Sequence, residues 1–337
     1  MRHGVARLVS LVLGVSALAG CGTHGTPLMT GSAHTRAFGA SGQVSLVVMP
    51  DQGVAPILAG IQGAKKSIWL EMYMFTTNGA PAQLLQALTD KAKAGVDVRV
   101  MLDPHPYTTT PGDVNAAAAQ ALQAGGVKVQ NSAPRFKYTH EKGMVIDGQT
   151  AYIMTCNFTN SAFTSNREYA VIDTNPTDVS EVGAIFQADW NQQPFTPQDP
   201  NLVVSPDNSR QRLLNLIDSA QRSIVLEDEE TGDPEVTSHL GARAKAGVSI
   251  QVMIAKSKGA ATETQQLNAA GVSNVETVSS LNLHAKTIIV DQTRAYVGSE
   301  NMSANSLDNN RELGIIVQDP AVISGLSAAC AKDWANH

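Results

Sequence analysis

His140, Lys142, Asp147 and Asn157 recur as His284, Lys286, Asp291 and Asn301 at the same internal spacing, so one polar set is written twice in 337 residues. On a strand, a His and a Lys two residues apart project from one face. Lysine supplies a point charge, an asparagine amide donates hydrogen bonds, and a neutral imidazole can attack an electrophilic centre. Such a set suits an anion, and phosphate fits it best. Lysine is a poor metal ligand and no carboxylate cluster accompanies the set, so neither a metal nor another cofactor is expected. At ~4 Å and an effective dielectric near ~20, each ammonium attracts a unit negative charge by about 4 kcal/mol before desolvation is subtracted. Two of them can do the work of a metal ion.

Two imidazoles divide the remaining chemistry. One attacks phosphorus while the other, protonated, gives its proton to the departing alcohol oxygen and then activates water or another alcohol against the phospho-histidine. Glu168 and Glu312 close a further repeated piece, Asn166-Arg167-Glu168 and Asn310-Arg311-Glu312. Each is a candidate to hold the outer ring nitrogen of a histidine and fix its tautomer. Arg167 and Arg311 are expected to pair with buried carboxylates rather than with substrate.

These groups need rigid supports. Gly143-Met144-Val145-Ile146 and Thr287-Ile288-Ile289-Val290 read as buried strands, and a second apolar run after a short turn returns each Asn beside its His and Lys. Asp147 and Asp291, at the strand ends, are expected to be structural support for that turn. Upstream, Ala64-Lys65-Lys66-Ser67-Ile68 matches Ala220-Gln221-Arg222-Ser223-Ile224. Likewise Lys93-Ala94-Gly95-Val96 matches Lys245-Ala246-Gly247-Val248. Glycine there ends a helix and a strand follows, so helix and strand alternate in an α/β fold with a parallel or mixed sheet in each half. Ser67 and Ser223 stand 156 residues apart but His140 and His284 only 144, so the first half holds extra loop before its motif. The segment from Asp103 to Pro111 is expected to overhang the site.

At these residues the chain resembles the phospholipase D superfamily, whose signature is His-x-Lys, four residues, Asp, then Gly-Ser/Thr-x-Asn. The second copy matches in full with His284, Lys286, Asp291, Gly298, Ser299 and Asn301, whereas the first has Met154 at the glycine position and Cys156 after Thr155. Glu71-Met72-Tyr73-Met74-Phe75 also looks like an early strand of that family, and the likeness extends over about residues 43 to 335. The resemblance implies two similar α/β/α sandwich halves with mixed sheets, related by a pseudo-two-fold axis, with the active site at their interface. It implies metal-independent cleavage or exchange of a phosphodiester through a phospho-histidine. His140 is then the nucleophile and His284 the acid, and Lys142, Lys286, Asn157, Asn301 and Ser299 hold the phosphate.

The N-terminus gives an address. Arg2 and Arg7, an apolar run from Leu8 to Ala19, and Leu18-Ala19-Gly20-Cys21 look like a bacterial lipoprotein signal, with residues 1–20 removed and lipid attached to Cys21. Residues 21–41, rich in Gly, Ser, Thr and Ala, read as a flexible tether. An N-terminal half over 42–195 and a C-terminal half over 196–337 meet at a segment carrying Pro194, Pro197 and Pro200. Loss of residues 1–20 removes two Arg and no acid, taking the net charge from −6 to −8, and with Cys21 lipidated two cysteines give no disulfide framework. An acidic chain lacks the broad basic surface of a non-specific nucleic-acid binder. The leading expectation is therefore a phospholipase D-type hydrolase, lipid-anchored in the cell envelope and acting on membrane phospholipid. The alternatives are an envelope endonuclease, a cardiolipin synthase-like transphosphatidylase and a catalytically lapsed binding lipoprotein, and no obligate protein partner is implied.

Overall fold

The computed structural model describes residues 43–107 and 114–336. The signal segment, the tether and Cys21 lie outside the described residues, as do 108–111 of the segment expected to overhang the site. The first half runs β1 (Val44–Met49), α1 (Ala55–Gly63), β2 (Ser67–Met72), α2 (Ala80–Lys93), β3 (Asp97–Leu102), α3 (Val114–Ala124) and β4 (Lys128–Asn131). It continues through β5 (Lys142–Ile146), β6 (Thr150–Met154), α4 (Asn160–Thr164), β7 (Asn166–Asp173) and α5 (Pro176–Trp190). The second half repeats the order with β8 (Leu202–Ser205), α6 (Ser209–Asp218), β9 (Ser223–Asp228), α7 (Pro234–Lys245), β10 (Ser249–Ala255), α8 (Ala260–Ala270) and β11 (Val275–Val278). After the two-residue β12 (Asn282–Leu283) come β13 (Lys286–Val290), β14 (Arg294–Gly298), α9 (Ala304–Asp308), β15 (Glu312–Val317) and α10 (Pro320–Ala335).

Each half builds one mixed sheet, and the two sheets have matching strand orders: β1-β7-β6-β5-β2-β3-β4 and β8-β15-β14-β13-β9-β10-β11. In each, the parallel strands joined by helices, β2-β3-β4 and β9-β10-β11, lie at one side, and antiparallel hairpin strands complete the other. β5 and β13 sit in the middle of their sheets and are buried along their whole length, which explains why they read as unbroken apolar runs. Three cores follow from this layering. One lies between the first sheet and α1 to α3, and one between the second sheet and α6 to α8. The third joins the halves: Val145, Ile153 and Val171 of the first sheet share it with Ile289, Val297 and Ile315 of the second, beside residues of α5 and α10. The halves are therefore two α/β/α layers on a common apolar seam, the architecture expected from the sequence.

The hairpins carrying the repeated motif show why aspartate ends each first strand. Asp147 and Gly148 (φ 58° and 64°), like Asp291 and Gln292 (φ 54° and 57°), occupy the left-handed region at both central turn positions. This tight turn matches strand twist and favours Asp or Gly. The Asp147 carboxylate also accepts the backbone amides of Lys65, Lys66 and Ser67, and Asp291 those of Gln221, Arg222 and Ser223. Both aspartates thus pin the hairpin to the start of the neighbouring strand, β2 or β9. Cys156 and Cys330 are free thiols, buried in different cores. Among the described residues no helix is long and apolar enough to cross a membrane.

Candidate active site

Backbone pairing between the halves places the histidines. β12, just before His284, runs parallel to the start of β7, with Asn282 against Asn166 and Leu283 against Arg167, and the His284 amide donates to the Arg167 carbonyl at 3.2 Å. The other copy repeats this: Thr139, just before His140, bridges in parallel to Arg311, and the Arg311 amide donates to the Tyr138 carbonyl at 2.9 Å. Each histidine is thereby laid beside the glutamate of the opposite half. His140 Nδ1 is hydrogen-bonded to Glu312 Oε2 at 2.8 Å, and His284 Nδ1 is in ion-pair contact with Glu168 Oε1 at 2.8 Å. The glutamates are fixed in turn, Glu168 by Thr155 Oγ1 and Asn166 Nδ2, Glu312 by Ser306 Oγ and Asn310 Nδ2. With Nδ1 engaged, Nε2 of each imidazole is the nitrogen left for chemistry.

Both lysines are buried, and each ammonium donates to the carbonyl of the histidine two residues before it. The side-chain oxygens of Asn157 and Asn301 are buried and, among the described residues, accept no hydrogen bond. Ser299 follows directly on β14. It is fully buried, and its hydroxyl accepts the Leu313 amide at 3.0 Å, as Thr155 accepts the Tyr169 amide at 2.9 Å. Its oxygen therefore braces the strand that carries Glu312.

The charges of the set are strongly coupled. Burial pushes the His140 imidazole below its ordinary value against the pull of Glu312, favouring the neutral ring a nucleophile needs. Burial also depresses Lys142, to about 7, with Lys286 adding repulsion that Glu312 only partly offsets. Lys286 moves the other way: burial would lower it, but Glu229 and Glu168 raise it above the usual lysine value. Burial works to raise Glu312, yet the charge and hydrogen bond of His140 hold it below the ordinary carboxylate range.

Two residues absent from the sequence-based set line the site. Tyr73 packs edge-on against His140 with ring centroids 4.5 Å apart and lies under the Lys142 ammonium at 5.0 Å. Its hydroxyl accepts the amide of Tyr107, within the segment expected to overhang. Glu229, at the matching place in the second half, pairs with Lys286 at 2.9 Å and reaches His284 Nε2 at 3.3 Å. A break in the duplication at this position, Tyr against Glu, was the signal available in the sequence. Behind the site, Glu71, Glu141 and Asp189 bring carboxylate oxygens within 4.8 Å of one another. Arg311 pairs with Asp189 at 2.8 Å, and burial with the charge of Asp189 pushes Glu141 up to about 8. Shared protons and a guanidinium thus balance this cluster, a donor set unlike an open cation site. Arg167 pairs with Asp333, so both repeated arginines serve buried carboxylates, as expected.

A family described as cardiolipin synthase, PLD-like domain, matches residues 57–190 and 213–334. A cardiolipin synthase of Clostridium perfringens (strain SM101) is 24% identical over 328 residues, covering 81% of this chain and 66% of that protein. The major cardiolipin synthase of Bacillus subtilis (strain 168) is 26% identical over 321 residues, covering 82% and 66%. The chain thus spans 66% of the length of these relatives. Its fold is shared with a phosphatidylserine synthase from Haemophilus influenzae Rd KW20 (TM-score 0.64, 13% identity, 89% of this chain and 87% of that one). It is shared also with a polyphosphate kinase from Porphyromonas gingivalis (TM-score 0.68, 17% identity, 86% and 46%). With two motif copies converging through matching sheets and a family model spanning both, the chain belongs to the phospholipase D superfamily, within its cardiolipin synthase-type PLD-like domain family.

Proposed function

We propose that this protein transfers a phosphatidyl group between alcohols, breaking and remaking a phospholipid phosphodiester through a phospho-histidine. The observation that carries the reading is the crossed pairing His140–Glu312 and His284–Glu168 around two buried lysines. Nε2 of neutral His140 attacks phosphorus, the bond to the leaving alcohol breaks, and His284 gives that oxygen a proton. His284 lies between two carboxylates, Glu168 at Nδ1 and Glu229 near Nε2, a setting that suits the proton donor. An incoming alcohol then returns its proton to His284 as its oxygen attacks phosphorus and releases His140. Lys142, Lys286, Asn157 and Asn301 hold the non-bridging oxygens throughout.

Transfer is preferred to the hydrolysis expected from sequence because the relatives above are named as synthases, and each such product is itself a diester. A lipid anchor at Cys21 would hold the domain beside this substrate at the cell envelope. Vesicles of phosphatidylglycerol incubated with the protein and a chelator should yield cardiolipin and free glycerol. Phosphatidic acid as the main product would move the reading to hydrolysis, and cleavage of DNA that weakens with salt would move the substrate class to nucleic acid. No product from any of the three would overturn the enzymatic reading.

A further inference from the structure

The place after the first parallel strand of each half is where the duplication fails most sharply. Tyr73 lines its side of the site with a neutral ring. Glu229 instead puts a carboxylate among the very donors that would grip a phosphate, 2.9 Å from Lys286 Nζ and 3.3 Å from the reactive Nε2 of His284. Its side chain is 39% exposed and forms part of the wall of a pocket of about 410 Å³, together with His284, Asn166, Asn282, Ser257 and Lys256. Burial works to raise Glu229, but the charges of His284 and Lys286 outweigh it and hold the carboxylate far below its ordinary range. It therefore stays anionic throughout the neutral range.

A negative charge inside an anion site subtracts from affinity, and it subtracts more from a ligand with more charge. A phosphodiester carries one negative charge, whereas a monoester or inorganic phosphate carries about 1.5 to 2 near neutral pH. We propose that Glu229 is a specificity-determining residue that makes the site discriminate by charge, accepting singly charged phosphodiesters and rejecting phosphomonoesters and orthophosphate. This inference rests on the phosphodiester reading above. It gives transfer a further advantage, since substrate and product of transfer are both diesters while free phosphate and monoesters do not block the site.

The test uses the full chain turning over bis(p-nitrophenyl) phosphate. Orthophosphate should inhibit Glu229→Gln at a concentration about tenfold lower than it inhibits the wild type. Inhibition by dimethyl phosphate should shift much less, and Glu229→Asp, which keeps the charge, should stay with the wild type. Equal phosphate inhibition of Glu229→Gln and wild type, or equal shifts for both inhibitors, would overturn the inference. Should Glu229→Gln fail to fold, the wild type decides: dimethyl phosphate must protect it against thermal unfolding at lower concentration than methyl phosphate at pH about 8, and the reverse order overturns the inference. A wild type without turnover would sink the phosphodiester reading instead, and the order of the two ligands in thermal protection then decides for Glu229.

Discussion

The second half keeps Gly298 where the first has Met154, and the surroundings show that this is one packing problem solved twice. A Cβ on Gly298 would meet Gly314 Cα and the Tyr296 hydroxyl, each at 2.5 Å, because the Tyr296 ring lies across both glycines to bond Glu300 at 2.6 Å. In the first half Tyr152 sends its hydroxyl the other way, against Gly60, and Met154, Ala170 and Cys156 fill the equivalent space as part of the apolar core. The departure of the first copy from the family signature thus leaves the hairpin intact, and Thr155 still bonds Glu168. Groups held through the backbone were duplicated faithfully, and groups that set charge or fill volume diverged: Tyr73 against Glu229, Cys156 against Glu300, Lys142 depressed against Lys286 raised.

The sharpest break of the comparison is at the histidines. His140→Asn and His284→Asn should each lower steady-state transfer by roughly 10³-fold or more. With a p-nitrophenyl ester, whose leaving group needs no acid, His284→Asn should still show a stoichiometric burst that His140→Asn lacks. The opposite pattern would exchange their roles. Next in size is Arg311→Met, which strips the guanidinium from Asp189 and Asp207 and from the field of Glu141 and Glu71. Urea unfolding should show a loss of about 3–5 kcal/mol, exceeding that of Arg167→Met, whose charged partner is Asp333. An equal loss at both would deny that the acid cluster distinguishes them.

Gly298→Ala should destabilise by about 1–3 kcal/mol through overpacking against Gly314, whereas Met154→Leu, close in volume, should change stability by less than about 1.5 kcal/mol. A further effect is one of pH. Folded Lys142 titrates at about 7 against an ordinary 10.5, so above pH 7 the unfolded chain binds the additional proton. Stability contributed at this site therefore rises as pH goes from about 7 to about 10.5, and Lys142→Met should flatten that slope more than Lys286→Met, which only relieves a repulsion on Lys142. Diester binding should weaken over the lower part of the same window as the ammonium is lost. A Michaelis constant indifferent to pH there would contradict it.

Much of this was legible beforehand. Identical spacing of His, Lys, Asp and Asn, set in apolar runs, specified β5 and β13 as central strands, because only a buried strand carries such a run and still presents His and Lys on one face. The hairpin aspartates and the carboxylate partners of Arg167 and Arg311 followed from local chemistry. Ser299 shows the limit: that its hydroxyl accepts the Leu313 amide of the neighbouring strand is not legible from the motif.

Sequence by itself determined the local periods, the turns and the doubled inventory of reactive groups, since those depend on residues a few positions apart. Which glutamate serves which histidine, and the arrival of Glu229 at the far side of His284, were decided only when the two sheets closed on their shared core. Contacts such as His140–Glu312 join residues 172 positions apart, and no spacing along the chain encodes the rotation that brings one half against the other.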